Sequence, residues 1–187
     1  MGLKRIKNRS IALPKKIKLY RQTYEKAEGI QDVHVVKVST FADDYGGWFK
    51  ETIRLDPQGY TVTLKDLGIK FRPVQANTSF LAPKTKRFWH IHPSQNEIWT
   101  TNGTIILGLI DYRPESSSYL TKMKIILSAD KFVYIPAGVA HGFINPNNDS
   151  VTLNYFTDQF FVANENTQEC RIDPKVVSFD FVKPEIM

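Results

Sequence analysis

Thr104-Ile105-Ile106-Leu107-Gly108-Leu109-Ile110-Asp111 is apolar on both of its alternating sets, Ile105/Leu107/Leu109 and Ile106/Gly108/Ile110. Side chains alternate between the faces of a strand, so this pattern predicts a central strand covered on both sides. The run is far shorter than the roughly 20 apolar residues of a membrane-spanning helix, and the other uncharged apolar runs also stay under about ten residues. On either side the same two-residue period recurs. Val151, Leu153 and Tyr155 alternate with Thr152, Asn154 and Phe156; Phe132 and Tyr134 alternate with Val133 and Ile135; Phe49, Glu51, Ile53 and Leu55 alternate with Trp48, Lys50, Thr52 and Arg54. Turn signals separate these runs at Asp44 to Gly47, Asp56 to Gly59, Asn102-Gly103, Pro136 to Gly138 and Asn145 to Asp149. Short strands punctuated about every ten residues predict an all-β sandwich or barrel. Helical signals are confined to Tyr20–Glu28 and Leu64–Leu67, neither with an apolar stripe, which leaves short peripheral helices only.

A hydrophobic content of 42% in 187 residues is enough for one substantial core and excludes a disordered chain. The net charge of +6 is concentrated at the start, where eight of the 25 basic residues precede the first acid, Glu25. We therefore divide the chain into a basic extension, residues 1–30, and a single domain, residues 31–187. The domain shows no basic stripe and no nucleic-acid-binding signature, so neither a nucleic-acid nor a membrane partner is expected. One cysteine, Cys170, forbids an intrachain disulfide, and the start MGLKRIKNRS has no apolar run after its basic residues. The expected location is the cytoplasm.

Three of the four histidines fall in two compact segments, Arg87-Phe88-Trp89-His90-Ile91-His92-Pro93 and Pro136-Ala137-Gly138-Val139-Ala140-His141-Gly142-Phe143. His90 and His92 are two apart and enter one face of a strand, with Glu97 close behind and His141 on a neighbouring strand. Imidazoles facing a polar cavity act as metal ligands, as acids and bases, or as hydrogen-bonding groups, and the spacing leaves these open. Arg87 suits an anion. His34 reads as a satisfied strand residue and Cys170 as structural.

His-x-His-x4-Glu followed by Pro-x-Gly-x2-His resembles the paired motifs of the cupin superfamily, small double-sheet jelly rolls. That resemblance implies a site in which His90, His92, Glu97 and His141 would hold one divalent transition metal. A longer resemblance runs from about residue 32 to residue 174. Gln75-Ala76-Asn77-Thr78-Ser79, then Arg87-Phe88-Trp89-His90, the segment Asp44 to Glu51, Pro136 to Phe143 and Asp173-Pro174 are similar to the motifs of the dTDP-4-dehydrorhamnose 3,5-epimerase family, itself a cupin family.

This second resemblance implies an isomerase that epimerises C3, C5 or both of a dTDP-linked 4-keto-6-deoxy sugar without a cofactor, in deoxysugar or surface-polysaccharide biosynthesis. It implies that His90 is the general base and that Asp173 orients it. Gln75, Asn77, Arg87 and His141 would bind the sugar-nucleotide. Phe49 and Glu51 would do so from the neighbouring subunit of a homodimer. The family's enolate-steadying lysine falls at Asn96, its proton-delivering tyrosine at Asn154 with Tyr155 next to it, and its usual glutamine at His92. These departures define the alternatives to turnover by that route: a metal-dependent cupin, or a nucleotide-sugar-binding cupin with impaired catalysis.

Overall fold

The computed structural model describes Pro14, residues 29–161 and residues 170–181. Most of the basic extension and the expected helix at Tyr20–Glu28 lie outside these residues. Twelve strands form: β1 (His34–Lys37), β2 (Thr40–Ala42), β3 (Trp48–Lys50), β4 (Gln75–Leu81), β5 (Lys86–Ile91), β6 (Glu97–Thr101), β7 (Ile105–Asp111), β8 (Lys122–Leu127), β9 (Lys131–Ile135), β10 (Val139–Ile144), β11 (Val151–Thr157) and β12 (Cys170–Arg171). One helical turn, α1 (Val62–Lys65), follows β3, and a 3-10 turn, Pro174–Val176, follows β12.

Ten strands make two five-stranded sheets, β1-β9-β6-β11-β4 and β12-β5-β10-β7-β8, while β2 and β3 pair alone. The pairings are antiparallel, and the chain crosses between the sheets at almost every step from β4 to β12. This is the all-β sandwich expected from the strand period, in the double-sheet jelly-roll form that the resemblance implies.

The main core lies between the sheets. Ile105, Leu107 and Leu109 from β7 meet Val133 and Ile135 from β9 and Val151 and Leu153 from β11, all nearly free of solvent. The outer face of the first sheet is covered by Leu64 of α1 and by Phe71, which pack on Ile98, Phe132 and Tyr134. The outer face of the second sheet is roofed by the last described segment, with Phe179 5.1 Å from Trp89 and Phe181 4.9 Å from Phe88, centroid to centroid. Both alternating sets of β7 and β9 are thus covered, because each sheet has an outer layer as well as a core.

Gly108 and Gly142 are cross-strand partners at the centre of this roofed face. A Cβ at Gly108 would lie 2.8 Å from the rings of Phe179 and Phe181, so the roof needs a glycine there.

The run from Trp48 to Leu55 departs from expectation. Only Trp48–Lys50 is a strand, paired with β2 and exposed, because it joins neither large sheet and has no apolar layer to meet. Phe41 (58%), Trp48 (51%) and Phe49 (63%) remain exposed on this hairpin. Lys50 fastens it to the barrel: its ammonium donates to the Thr100 hydroxyl (3.0 Å) and to the carbonyls of Thr101 (3.0 Å) and Ala129 (2.8 Å).

A separate polar cluster ties the beginning of the domain to the far end of β7. Buried Asp111 receives the Arg113 guanidinium (2.9 Å) and the hydroxyls of Ser116 (2.6 Å) and Ser118 (2.7 Å), and Arg113 also reaches Asp32. Burial pushes the Asp111 carboxyl up, but Arg113 and the two serines outweigh it and hold it far below the usual carboxylate range.

Candidate active site

A cavity of about 260 Å³ opens between the two sheets at one end of the barrel. One wall comes from β5, the residue after it, and β10: Arg87, His90, His92, His141 and Phe143. The facing wall comes from β4, β6 and β11: Asn77, Ser79, Glu97, Trp99, Leu153, Tyr155 and Thr157.

Three of these placements follow directly from strand parity. His90 and His92 share a face, Glu97 and Trp99 share a face, and Leu153, Tyr155 and Thr157 share a face. Arg87 does not follow, since it is three residues from His90 and on a regular strand would point away. In the pairing of β5 with β10, His141 faces His90 but Phe143 faces Arg87, so two residues, Phe88 and Trp89, oppose the single Gly142. This is a β-bulge, and it turns Arg87 back into the cavity. Gly142 makes room for it: a Cβ there would lie 2.9 Å from Phe88 Cδ1, 3.1 Å from the Arg87 carbonyl oxygen and 3.2 Å from Trp89 Cε3.

Glu97 is the buried carboxylate of the site, 3% exposed. Its Oε1 accepts from Gln95 Nε2 and its Oε2 from Trp99 Nε1, both at 2.7 Å. His92 Nε2 stands 3.5 Å from Oε1, and His141 Nε2 stands 3.7 Å from Oε2. The His92 and His141 rings are stacked at 5.3 Å, and Trp99 meets His141 edge to face at 4.7 Å. His90 is more distant, 6.0 Å from His141 between ring centroids. Burial first, and then the neighbouring His92 and His90, push His141 well below the ordinary histidine range, so that it is a neutral imidazole near pH 7. The nitrogen and carboxylate oxygen atoms of His92, Glu97 and His141 lie within 4.8 Å of one another, a spacing suited to a metal ion.

The residues implied by the family resemblance divide into two groups. His90, Tyr155, Asn77, Arg87 and His141 all line the cavity. Tyr155 does so without any bulge, because β11 pairs in regular register with β4 and β6 and its inward set is Val151, Leu153 and Tyr155. Asn154 therefore points outward, where it accepts a hydrogen bond from the Thr78 hydroxyl (2.8 Å).

Asn96 also lies outside the cavity. Its side chain donates to Asp158 (2.6 Å) and accepts from the Ala137 amide (3.0 Å), clipping two loops together. Gln75 is just behind the wall, donating to Asn77 (2.8 Å) and accepting from the Phe161 amide (2.8 Å) at the cavity mouth. Asp173 does not enter the cavity: it is exposed, and its carboxylate caps the 3-10 turn by accepting from the Lys175 amide at 2.9 Å. The Asp-Pro sequence that resembles the family is used here to start that turn. Phe49 is exposed on the hairpin, and Glu51 pairs with Arg54 at 2.6 Å in solvent; neither reaches this chain's own cavity.

Several lining residues carry no signal in the sequence. Arg171 enters because β12 pairs with β5 and sets it opposite His90, a juxtaposition made only by folding. Phe160 and Phe161 form an apolar rim beyond β11. Trp99 was legible in principle, two residues after Glu97 on one strand.

Comparison with known proteins identifies the family and the fold. The model of the dTDP-4-dehydrorhamnose 3,5-epimerase family matches residues 27–185. The dTDP-4-dehydrorhamnose 3,5-epimerase of Escherichia coli (strain K12) is 26% identical over 153 residues, 79% of each chain. Among solved structures, a dTDP-4-dehydrorhamnose 3,5-epimerase from Bacillus anthracis with TDP and PPi bound superposes with a TM-score of 0.64 at 25% identity, covering 75% of this chain and 78% of the other. A dTDP sugar isomerase from Desulfovibrio desulfuricans G20 shares the fold, with a TM-score of 0.69 at 15% identity over 83% and 94% of the two chains.

Proposed function

The chain belongs to the dTDP-4-dehydrorhamnose 3,5-epimerase family, and from that premise we propose that it is an isomerase that inverts C3, C5 or both of a dTDP-linked 4-keto-6-deoxy sugar in deoxysugar biosynthesis. The observation that carries the reading is the placement of an imidazole, His90, and a phenol, Tyr155, on facing sheets of one cavity that also contains Arg87. The carbonyl at C4 acidifies the hydrogens on C3 and C5. His90 removes one of them as the carbonyl oxygen gains enolate charge. Inversion needs a proton delivered from the opposite face, and the opposite sheet offers the Tyr155 hydroxyl. The proton transfers themselves are carried by side chains and draw on no organic or redox cofactor.

Arg87 and Arg171 at the cavity mouth suit the diphosphate, whose oxygens match the planar guanidinium fork. Asn77, with Gln75 held against it, supplies hydrogen bonds to the sugar-nucleotide. The exposed aromatic hairpin supports a homodimer in which Phe49 and Glu51 serve the partner's cavity. We place the enzyme in the cytoplasm, in keeping with its single, free and exposed cysteine. No helix among the described residues is long and apolar enough to cross a membrane.

Incubation with dTDP-4-keto-6-deoxyglucose in D2O tests the reading. The wild type washes deuterium into C3 or C5 and forms the epimer. His90→Asn lowers exchange by about 10²–10⁴-fold, whereas Tyr155→Phe keeps exchange and loses inversion. Absence of exchange with a substrate that demonstrably binds overturns the proposal. Full inversion by Tyr155→Phe removes the tyrosine from it.

A further inference from the structure

Phe88 and Trp89 are consecutive on β5, yet neither lines the cavity: both rings lie on the outer face of the second sheet, against Phe179 and Phe181. On a regular strand one of two neighbours points inward. The bulge opposite Gly142 removes that requirement and at the same time turns Arg87 into the cavity. We propose that Phe179 and Phe181 are positioning residues for the site: by burying Phe88 and Trp89 together from outside the barrel, they hold the bulge and so keep Arg87 pointing inward.

The competing arrangement shows why the roof matters. With His90 still opposite His141, a regular β5 would set Trp89 against Gly142 and Phe88 against Phe143. Phe88 would then enter the cavity and Arg87 would leave it, because a one-residue change of register exchanges the two faces. Regular pairing is favoured by the ladder hydrogen bonds that a bulge interrupts, and the bulge by apolar burial of both rings on the outside. That burial comes from the tail. Phe181 lies 4.9 Å from Phe88, Phe179 lies 5.1 Å from Trp89, and the two tail rings are 4.6 Å apart, all between centroids. Without them two neighbouring aromatic rings face water, and turning Phe88 inward is the way to bury one.

The tail is fastened across the whole sheet. The Ile172 amide donates to the Trp89 carbonyl (3.1 Å), a main-chain bond to the bulge itself. Asp173 caps the 3-10 turn that follows β12 at one edge, and at the other edge Lys122 of β8 donates to the Ser178 carbonyl (2.5 Å). Between them, Gly108 of β7 leaves the space in which both rings settle. The same segment sets Arg171 opposite His90, so one stretch of chain gives the cavity a cation on its inner side and holds the bulge from its outer side.

The nucleotide measurements below rest on the epimerase reading; the direction of Arg87 does not.

The test compares the full-length wild type with Phe179→Ser/Phe181→Ser, with Phe179→Leu/Phe181→Leu, and with Gly108→Ala, whose Cβ would lie 2.8 Å from both tail rings and so displaces them from β7. Phe71→Leu, in the outer layer of the first sheet, is the control for lost stability. The serine pair and Gly108→Ala weaken thymidine diphosphate binding by about 10–100-fold in titration calorimetry, the range for lost charge-assisted hydrogen bonds. They raise KM for dTDP-4-keto-6-deoxyglucose far more than they lower kcat. The leucine pair, which keeps apolar cover, and Phe71→Leu bind the nucleotide as the wild type does. A crystal structure of the serine pair shows Phe88 turned in and Arg87 turned out. If the serine pair does not fold, as judged by circular dichroism, Gly108→Ala takes its place in both measurements. The proposal is overturned if the serine pair and Gly108→Ala bind as tightly as Phe71→Leu, or if Arg87 stays in the cavity once the rings are displaced. A wild type that neither binds thymidine diphosphate nor exchanges deuterium sinks the epimerase reading alone, and the direction of Arg87 in the crystal structure then decides this one.

Discussion

Replacing Gly142 by alanine tests whether the β-bulge is what aims Arg87 and His90. The added Cβ would sit 2.9 Å from the Phe88 ring and 3.1 Å from the Arg87 carbonyl oxygen. The carbonyl belongs to the bulge itself, so relief requires the main chain of β5 to shift. Overpacking of this kind costs about 1–3 kcal/mol, and alanine returns about 0.5–1 kcal/mol by restricting the unfolded chain, for a net loss of up to about 2.5 kcal/mol. In a domain of this size that lowers the melting temperature by up to about 10 °C. The effect on turnover should be larger than on stability, because a displacement approaching 1 Å of groups that position substrate costs on the order of 100-fold. Gly103→Ala is the control: its Cβ would meet Val151 Cγ2 at 3.0 Å, a similar clash in a turn away from the cavity. Deuterium exchange per folded molecule, with kcat and KM separated, should fall for Gly142→Ala and hold for Gly103→Ala. Equal exchange rates in the two variants would refute the reasoning, since the bulge would then be incidental to the site.

The polar cluster at the end of β7 predicts an acid-sensitive fold. Asp111 is held far below the usual carboxylate range, so its contribution is complete above about pH 4 and is lost as pH falls further toward its folded-state value. Asp111→Asn should cost about 2–3 kcal/mol in urea unfolding at pH 7, the modest figure reflecting that Arg113 keeps a fifth of its side chain in solvent, and should flatten the acid limb of the stability curve. Asn96→Ala should cost about 1–3 kcal/mol through the lost loop clip, with KM for the sugar-nucleotide unchanged; a raised KM with unchanged stability would place Asn96 back in the cavity.

How far the sequence could be read depends on which forces set each residue. The two-residue period located β7 and β9, which lie between two apolar layers, and β11, whose inward set is apolar, and it located His90 with His92 by the same parity. It over-read Trp48 to Leu55, where alternation is present but no sheet accepts the strand beyond Lys50. Spacing could not show that Arg87 turns inward, since that depends on a bulge opposite Gly142. Alignment to family motifs placed the lysine and tyrosine equivalents at Asn96 and Asn154, while pleat geometry brings their neighbours Glu97 and Tyr155 inside. Motif position and side-chain direction differ by one residue there, and the pleat decides. Arg171 and the Phe160–Phe161 rim depend on long-range pairing and on a loop, neither of which has a local signature.

Gly108 and Gly142 stand side by side where Phe88, Trp89, Phe179 and Phe181 pile onto the second sheet. Over that patch the barrel wall is a single thickness of main chain, with a cavity lined by His141 and Phe143 on one side and stacked rings on the other. Gly108 and the two tail rings therefore fit one another, while Gly142 fits Phe88, Trp89 and the bulge. A side chain at Gly108 has to displace a tail ring, one at Gly142 has to displace the main chain of the bulge, and loss of the rings uncovers the thinnest part of the wall enclosing the chemistry.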